Sequence, residues 1–144
     1  MKRIVIVCVT CIVLATCASS APRQIKIKVV NGRNGEPVKE AIVDVTFGGR
    51  VVPPPTQLVT TSDGSADLKV PDSAETIVIS GQLIVDCRPD NHKNYTEDKA
   101  YRIQEILTKG VVAENTCGKA KNQQTPGVLI FYVRPPHWWD KPHD

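Results

Sequence analysis

Aromatic side chains are scarce in this chain: 5% of its 144 residues are Phe, Trp or Tyr. Charge of one sign is not in excess either, since 18 basic residues stand against 15 acidic ones. Because basic and acidic residues are nearly balanced, there is no electrostatic basis for binding nucleic acid or an anionic membrane. The chain also lacks a Gly-x-Ser-x-Gly, a His-Glu-x-x-His and a phosphate-cradling glycine loop. We therefore expect no enzyme, no cofactor and no nucleic-acid partner.

Long apolar runs are missing except at the very start. Lys2 and Arg3 precede the apolar stretch 4–15, which is followed by the small residues of 16–21. This order of charge, apolar core and small-residue exit is that of a secretory signal peptide. The stretch is too short to span a bilayer comfortably, which takes ~20 residues. We expect residues 1–20 to be removed, and the mature protein to be secreted or periplasmic, within the cell envelope, without a membrane span.

The end of this segment leaves two alternatives open. The sequence Leu14-Ala15-Thr16-Cys17 resembles a bacterial lipobox, whose cysteine becomes the lipidated first residue, although Thr16 departs from the residue usual there. Either Cys17 is lipidated, or ordinary cleavage occurs near residues 18–21. A lone acyl chain binds a membrane only marginally, so firm anchoring would need a second contact.

Cysteine is also scarce once the signal is removed. Of five cysteines, only Cys87 and Cys117 lie beyond residue 17. In an exported chain, such a pair predicts one disulfide. Its closure would stabilise the fold by roughly 3.5 kcal/mol in the loop-entropy model. A metal site is not expected, because the pair offers too few ligands for zinc. The tail also holds potential metal ligands, namely His137, Asp140, His143 and Asp144. Pro142 argues against placing them on one face of a helix.

Between residues 24 and 85, short alternating segments are separated by turns. Ile25, Ile27 and Val29 alternate with lysines, which is the period of a half-buried strand. Further strands are predicted at 41–47, 58–61, 66–70 and 76–80, with an extension at 83–85. Gly, Asn, Asp and Pro punctuate them. The pattern predicts a mainly β protein, an antiparallel immunoglobulin-like sandwich.

Part of this region resembles a known family. The residues that carry the resemblance are Ile25–Val30, Gly35-Glu36-Pro37-Val38, Ala41–Val45, Thr60–Pro71 and Thr76–Gly81. Over about residues 25–81 the chain is similar to the carboxypeptidase regulatory-like domain, a transthyretin-like (prealbumin-like) β-sandwich. Lys39-Glu40 and Ala66 depart from that family's pattern. The resemblance implies a rigid accessory, stalk or surface module and carries over no functional residue.

The spacing of apolar residues changes after Cys87. Ala100, Ile103 and Leu107 follow a helical spacing, Thr96 suits an N-cap, and Lys109-Gly110 suits a helix end. These features predict a short helix at about 97–109, inside the excursion bracketed by the two cysteines. Residues 128–133 are apolar at every position, so we expect a strand buried on both faces, with the helix covering its outer one.

The expected organisation is a signal segment at 1–20, a sandwich domain at 23–136 and a polar, aromatic tail at 137–144. Trp138 and Trp139 either latch this tail onto the sandwich or present a ring to a ligand. The leading hypothesis is an exported, non-catalytic accessory, binding or structural module with an unknown protein or glycan partner. The alternative is a lipid-anchored surface protein that recognises glycan or protein. A remote alternative is a small metal-dependent hydrolase.

Overall fold

A computed structural model describes residues 23–49, 54–82, 84–89 and 100–135. The expected signal segment with Cys17, and the tail with Trp138 and Trp139, lie outside the described residues. Within them, no helix has the length and apolar composition needed to span a membrane. The elements in chain order are β1 (Gln24–Asn31), β2 (Ile42–Gly49), β3 (Thr56–Val59), β4 (Ser65–Lys69), β5 (Ala74–Gln82), β6 (Val85–Asp86), β7 (Ala100–Arg102), α1 (Ile103–Lys109), β8 (Val111–Val112) and β9 (Val128–Arg134).

Two sheets form a β-sandwich. The first sheet has the order β4-β1-β9-β6, with β8 also paired to β9, and the second has the order β3-β2-β5-β7. The alternating apolar positions of β1, β2, β4 and β5 point between the sheets, where they are almost fully buried. This confirms the mainly β sandwich and the period-two interpretation of the strands.

Not every strand pair is antiparallel. β1 and β9 run parallel over six residue pairs, and β8 also runs parallel to β9. Parallel neighbours need a long crossover connection, and here almost the whole domain lies between β1 and β9. The strand predicted at 128–133 is confirmed as the doubly covered strand of the first sheet, with Leu129 through Val133 all buried.

The helix begins later than expected. Ala100–Arg102 is a strand paired antiparallel with β5, and the helix occupies only Ile103–Lys109. The edge of β5 offers backbone hydrogen bonds that Ala100–Arg102 satisfies by pairing, although its spacing also suits a helix. The first residues of the expected helix, 97–99, and the expected cap Thr96 lie outside the described part of the chain. Its end is as expected, since Gly110 takes φ 78° and its amide donates to the Ile106 carbonyl.

The helix also packs in a different place from the one predicted. Ile103 and Ile106 are fully buried in the central core, together with the inward residues of β9, so the helix closes the space between the sheets. The outer face of β9 is instead covered by the segment 111–122, which places Val112, Cys117 and Ala120 over it. We call this segment the cover segment.

Candidate binding face

The outer face of the first sheet places three lysines around one groove. On β1, Ile25 and Ile27 point into the core, so Lys26 and Lys28 point outward. Strand pairing then sets two rows across β4, β1 and β9. The rows are Asp67–Lys26–Val128 and Ser65–Lys28–Ile130. Each outward lysine therefore lies between a polar residue of β4 and an apolar residue of β9.

The cover segment forms one wall of the groove. It lies on a second apolar cluster of Val30, Cys87, Ile130 and Tyr132, separate from the central core. The Tyr132 hydroxyl donates to Asn122 Oδ1 at 2.9 Å, which ties the segment to β9. Burial raises the pKa of Tyr132, so this hydroxyl stays a donor at neutral pH.

Between this wall and the turn before β4 lies the groove itself, which encloses about 530 Å³. Three lysines line it: Lys26, Lys28 and Lys121. Ser65, Asn122, Gln123 and Thr125 add hydroxyl and amide groups, and Val128 and Ile130 contribute apolar surface. We call this feature the lysine groove.

Among the described residues, Asp63 is the one carboxylate that lines the lysine groove. The Thr61 hydroxyl donates to it, and the Ser65 hydroxyl lies 2.9 Å from both of its oxygens. These hydrogen bonds, that from Thr61 first, lower the pKa of Asp63 to about 2. The carboxylate is thus ionised at neutral pH and serves the turn 61–65.

The predicted disulfide joins the residue that follows β6 to the cover segment. Cys87 and Cys117 are bonded, and Cys87 is fully buried. The Asn115 amide donates to the Gly32 carbonyl at 2.9 Å, which joins the β1–β2 turn to the cover segment. A Cβ at Gly32 would lie 2.5 Å from Asn115 Oδ1 and 3.0 Å from Cys87 Sγ. Only glycine therefore lets the turn approach the disulfide this closely.

A buried cation lies at the edge of the central core. Arg88 is 8% exposed, and its guanidinium donates to both carboxylate oxygens of Asp86 at 2.6–3.1 Å. It also donates to the Ile79 carbonyl at 2.6 Å and to the Tyr101 hydroxyl at 3.3 Å. This arrangement holds strands together and leaves little of the guanidinium accessible to a ligand.

A second groove, of about 360 Å³, lies where β9 ends. Pro37, Val38, Ile84 and Pro135 give it an apolar character, and Glu36, Lys39 and Arg134 surround them. Pro135 lies three residues before Trp138 in the sequence. Three residues of fully extended chain span about 10 Å.

The residues singled out from the sequence have different outcomes. Cys87 and Cys117 are brought together as predicted. Cys17, Trp138, Trp139 and the polar tail residues lie outside the described part of the chain. Among the described residues, no group of three or more His, Cys, Asp or Glu side chains could hold a metal ion.

The lysine groove and the buried Arg88 were not anticipated. The alternation of Lys26 and Lys28 signalled only that both lysines face the same side of a strand. No local signal places Lys121 opposite them, because the parallel pairing of β1 with β9 joins residues about a hundred positions apart. No family model, curated protein or solved structure matches this chain, so its fold and side chains alone support a function.

Proposed function

We propose that this chain is an exported, non-catalytic β-sandwich module that binds a partner in the cell envelope or the extracellular space. The observation that carries the proposal is the contrast between its buried and its surface polar groups. In the described part of the chain, every buried side-chain nitrogen and oxygen has a hydrogen-bond partner within the protein. On the outer face of the first sheet, by contrast, accessible lysine, hydroxyl and amide groups from several segments line one groove, the lysine groove.

The buried groups are suited to holding the fold. Thr60 Oγ1 accepts from the Ala41 amide and donates to the Val38 carbonyl, at 2.9 and 2.7 Å. Arg88 and Asp86 form a pair within the domain. Catalytic sites need a base or nucleophile directed at an open pocket, and these side chains are directed at the protein's own backbone and core.

The export half of the proposal is supported by the disulfide. Disulfides persist in oxidising, extracytoplasmic compartments, and this one is buried against the β1–β2 turn. The signal-like segment 1–20 points to the same compartment from independent residues. We also propose membership of the carboxypeptidase regulatory-like family for about residues 25–81. Strands β1, β2, β4 and β5 overlap the residues that carry this resemblance.

A lipid-anchored version is the second candidate, and the sequence Leu14-Ala15-Thr16-Cys17 favours it. In that version, a lipid on Cys17 would hold the sandwich at a membrane surface, where Trp138 and Trp139 could contact glycan or protein. The sandwich itself would serve the same binding role in both versions.

The intact mass of exported protein tests the compartment and separates the two versions. We expect loss of residues 1 to about 18–21, as the signal pattern predicts. A diacylglycerol adduct on Cys17 would select the anchored version, and a retained Met1 would contradict export. To test for catalysis, the same protein is incubated with chromogenic ester, phosphate and glycoside substrates. We expect rates equal to those of the heat-denatured protein, whereas turnover that a chelator abolishes would favour a metal-dependent hydrolase.

A further inference from the structure

We propose that the lysine groove binds an extended acidic segment of a partner protein, with carboxylates at alternating positions. The inference rests on the proposed binding function and names its site and ligand chemistry. Lys26 and Lys28 project from the same face of β1, two residues apart. Lys121 faces them from the cover segment, so cations lie on both sides of one groove.

The carboxylates of the described residues neutralise these cations only in part. Lys26 Nζ lies 4.0 Å from Asp67, and the two side chains are 49% and 59% exposed, so water screens the pair strongly. Asp63 is engaged by Thr61 and Ser65. Within the residues that the structure describes, no carboxylate forms an ion pair with Lys28 or Lys121.

The lining therefore favours an anionic ligand. In the part of the lining that the structure describes, three lysines and one carboxylate leave a net charge of +2. Focused positive charge in a concave surface attracts acidic groups and speeds their association. None of the ten described residues that line it is aromatic. A neutral sugar would find no ring to stack on, which is how proteins commonly bind sugars.

The spacing of the lysines favours a peptide over another polyanion. Side chains two residues apart on a strand are separated by about 6.6–6.8 Å along it. Alternate side chains of an extended peptide share that repeat, so carboxylates at its alternating positions match Lys26 and Lys28. The hydroxyl and amide groups of Thr125, Gln123 and Asn122 lie along the same groove and can hydrogen-bond the peptide backbone. A polyuronate also carries regularly spaced carboxylates, but sugar rings and not an extended peptide backbone set their spacing.

The test uses exported, oxidised protein and three fluorescein-labelled peptides. The first alternates glutamate with threonine, the second has the same composition in two blocks, and the third alternates glutamine with threonine. Fluorescence anisotropy measures binding at low and high salt. We expect the alternating acidic peptide to bind best, and its binding to weaken at high salt, because the pairs are exposed and screened within about 10 Å at 0.1 M.

A charge-matched pair of variants locates the site. Lys28→Gln with Lys121→Gln should weaken the alternating peptide about tenfold or more, as expected for losing two ion pairs at a groove. Lys39→Gln with Lys109→Gln removes the same charge from exposed positions outside the groove and should leave the affinity within about twofold. Thermal melts and disulfide mapping verify that each variant is folded.

Three results would overturn the inference. Equal losses in both double variants would show that net charge, not the groove, carries binding. Equal affinity for the alternating and block peptides would remove the register argument. Binding of fluorescein-labelled polygalacturonate, with no binding of any of the three peptides, would assign the groove to a polysaccharide. None of these results would affect the proposed function, which fails instead on retained Met1 or on genuine turnover.

Discussion

The guanidinium carbon of Arg88 lies 4.9 Å from the centroid of the Phe131 ring. Phe131 belongs to the first sheet, while the Ile79 carbonyl that accepts from the same guanidinium belongs to the second. Arg88 thus contacts both layers of the sandwich from one buried position. Asp86 supplies the countercharge at 2.6 Å. The Arg88–Asp86 pair lies at the edge of the core beside the short strands β6 and β7. It takes the place that apolar side chains would otherwise fill.

Removing the countercharge should be costly. Asp86→Ala removes the carboxylate that lies 2.6 Å from the buried guanidinium of Arg88, and we expect it to lower the free energy of unfolding by about 3 kcal/mol, the lower end for a broken buried pair, since Asp86 is itself partly exposed. Asp67→Ala breaks the exposed pair with Lys26 and is the matched control, expected to cost about 1 kcal/mol or less. Urea denaturation measures both. Equal costs would show that Arg88 does not depend on Asp86.

Loss of the disulfide should loosen one end of the sandwich. Cys87 and Cys117 are separated by 30 positions in the chain. Replacing both by Ala should lower stability by roughly 3.5 kcal/mol if the loop-entropy account holds. Cleavage between Arg88 and Thr116 should accelerate, and limited proteolysis followed by mass spectrometry would locate it. Free thiols at both positions in exported wild-type protein would contradict the bond itself.

Stability at acid pH should depend on Asp63. Hydrogen bonds from Thr61 and Ser65 hold the pKa of this carboxyl at about 2, below its ordinary value near 3.9. A lowered folded-state pKa contributes stability above the unfolded pKa, and the contribution disappears as the pH falls from about 4 to about 2. Asp63→Asn should therefore flatten the dependence of the melting temperature on pH in this window.

Thr61→Val serves as the partner variant, because it removes the first of these hydrogen bonds and keeps the carboxyl group. It should reduce the slope in the same pH window, though less than Asp63→Asn does. An unchanged slope in both variants would show that Asp63 is not linked to folding.

The two tryptophans of the tail remain a prediction. Neighbours in an extended segment point to opposite sides, and Pro135-Pro136 disfavours a helix. Trp138→Ala and Trp139→Ala should therefore differ. One should cost roughly 3–5 kcal/mol, as for truncating a buried large aromatic side chain, and the other should leave stability nearly unchanged. Acrylamide quenching of each single-Trp variant and thermal melts would show this. Full exposure of both rings without loss of stability would contradict the latch.

Local patterns predicted the parts of this fold that depend on local chemistry. The alternation in 25–29 and 41–47 specified which side of each strand faces the core, because a strand's side chains alternate by geometry. The disulfide followed from there being only two cysteines beyond residue 17. The end of the helix followed from Gly110, whose positive φ is easily adopted by glycine.

The parts that were missed depend on contacts between distant residues. Ala100–Arg102 has a spacing compatible with a helix, and only the open edge of β5 makes it a strand. The outer face of β9 was assigned to the helix, but the disulfide holds the cover segment there instead. The lysine groove needs the pairing of β1 with β9 and the path of residues 119–125, and neither is encoded in a short stretch of sequence.

The position of β9 between β1 and β6 bears on how the chain folds during synthesis. β1 has two neighbours in its sheet, and one of them is β9, which lies nearly a hundred residues further along the chain. Long-range pairing of this kind slows folding, because the intervening chain must close a large loop first. Until β9 has been synthesised, the first sheet lacks one of its two inner strands, and the cover segment has no surface to pack on. The chain therefore reaches its rigid fold only after β9 has been synthesised.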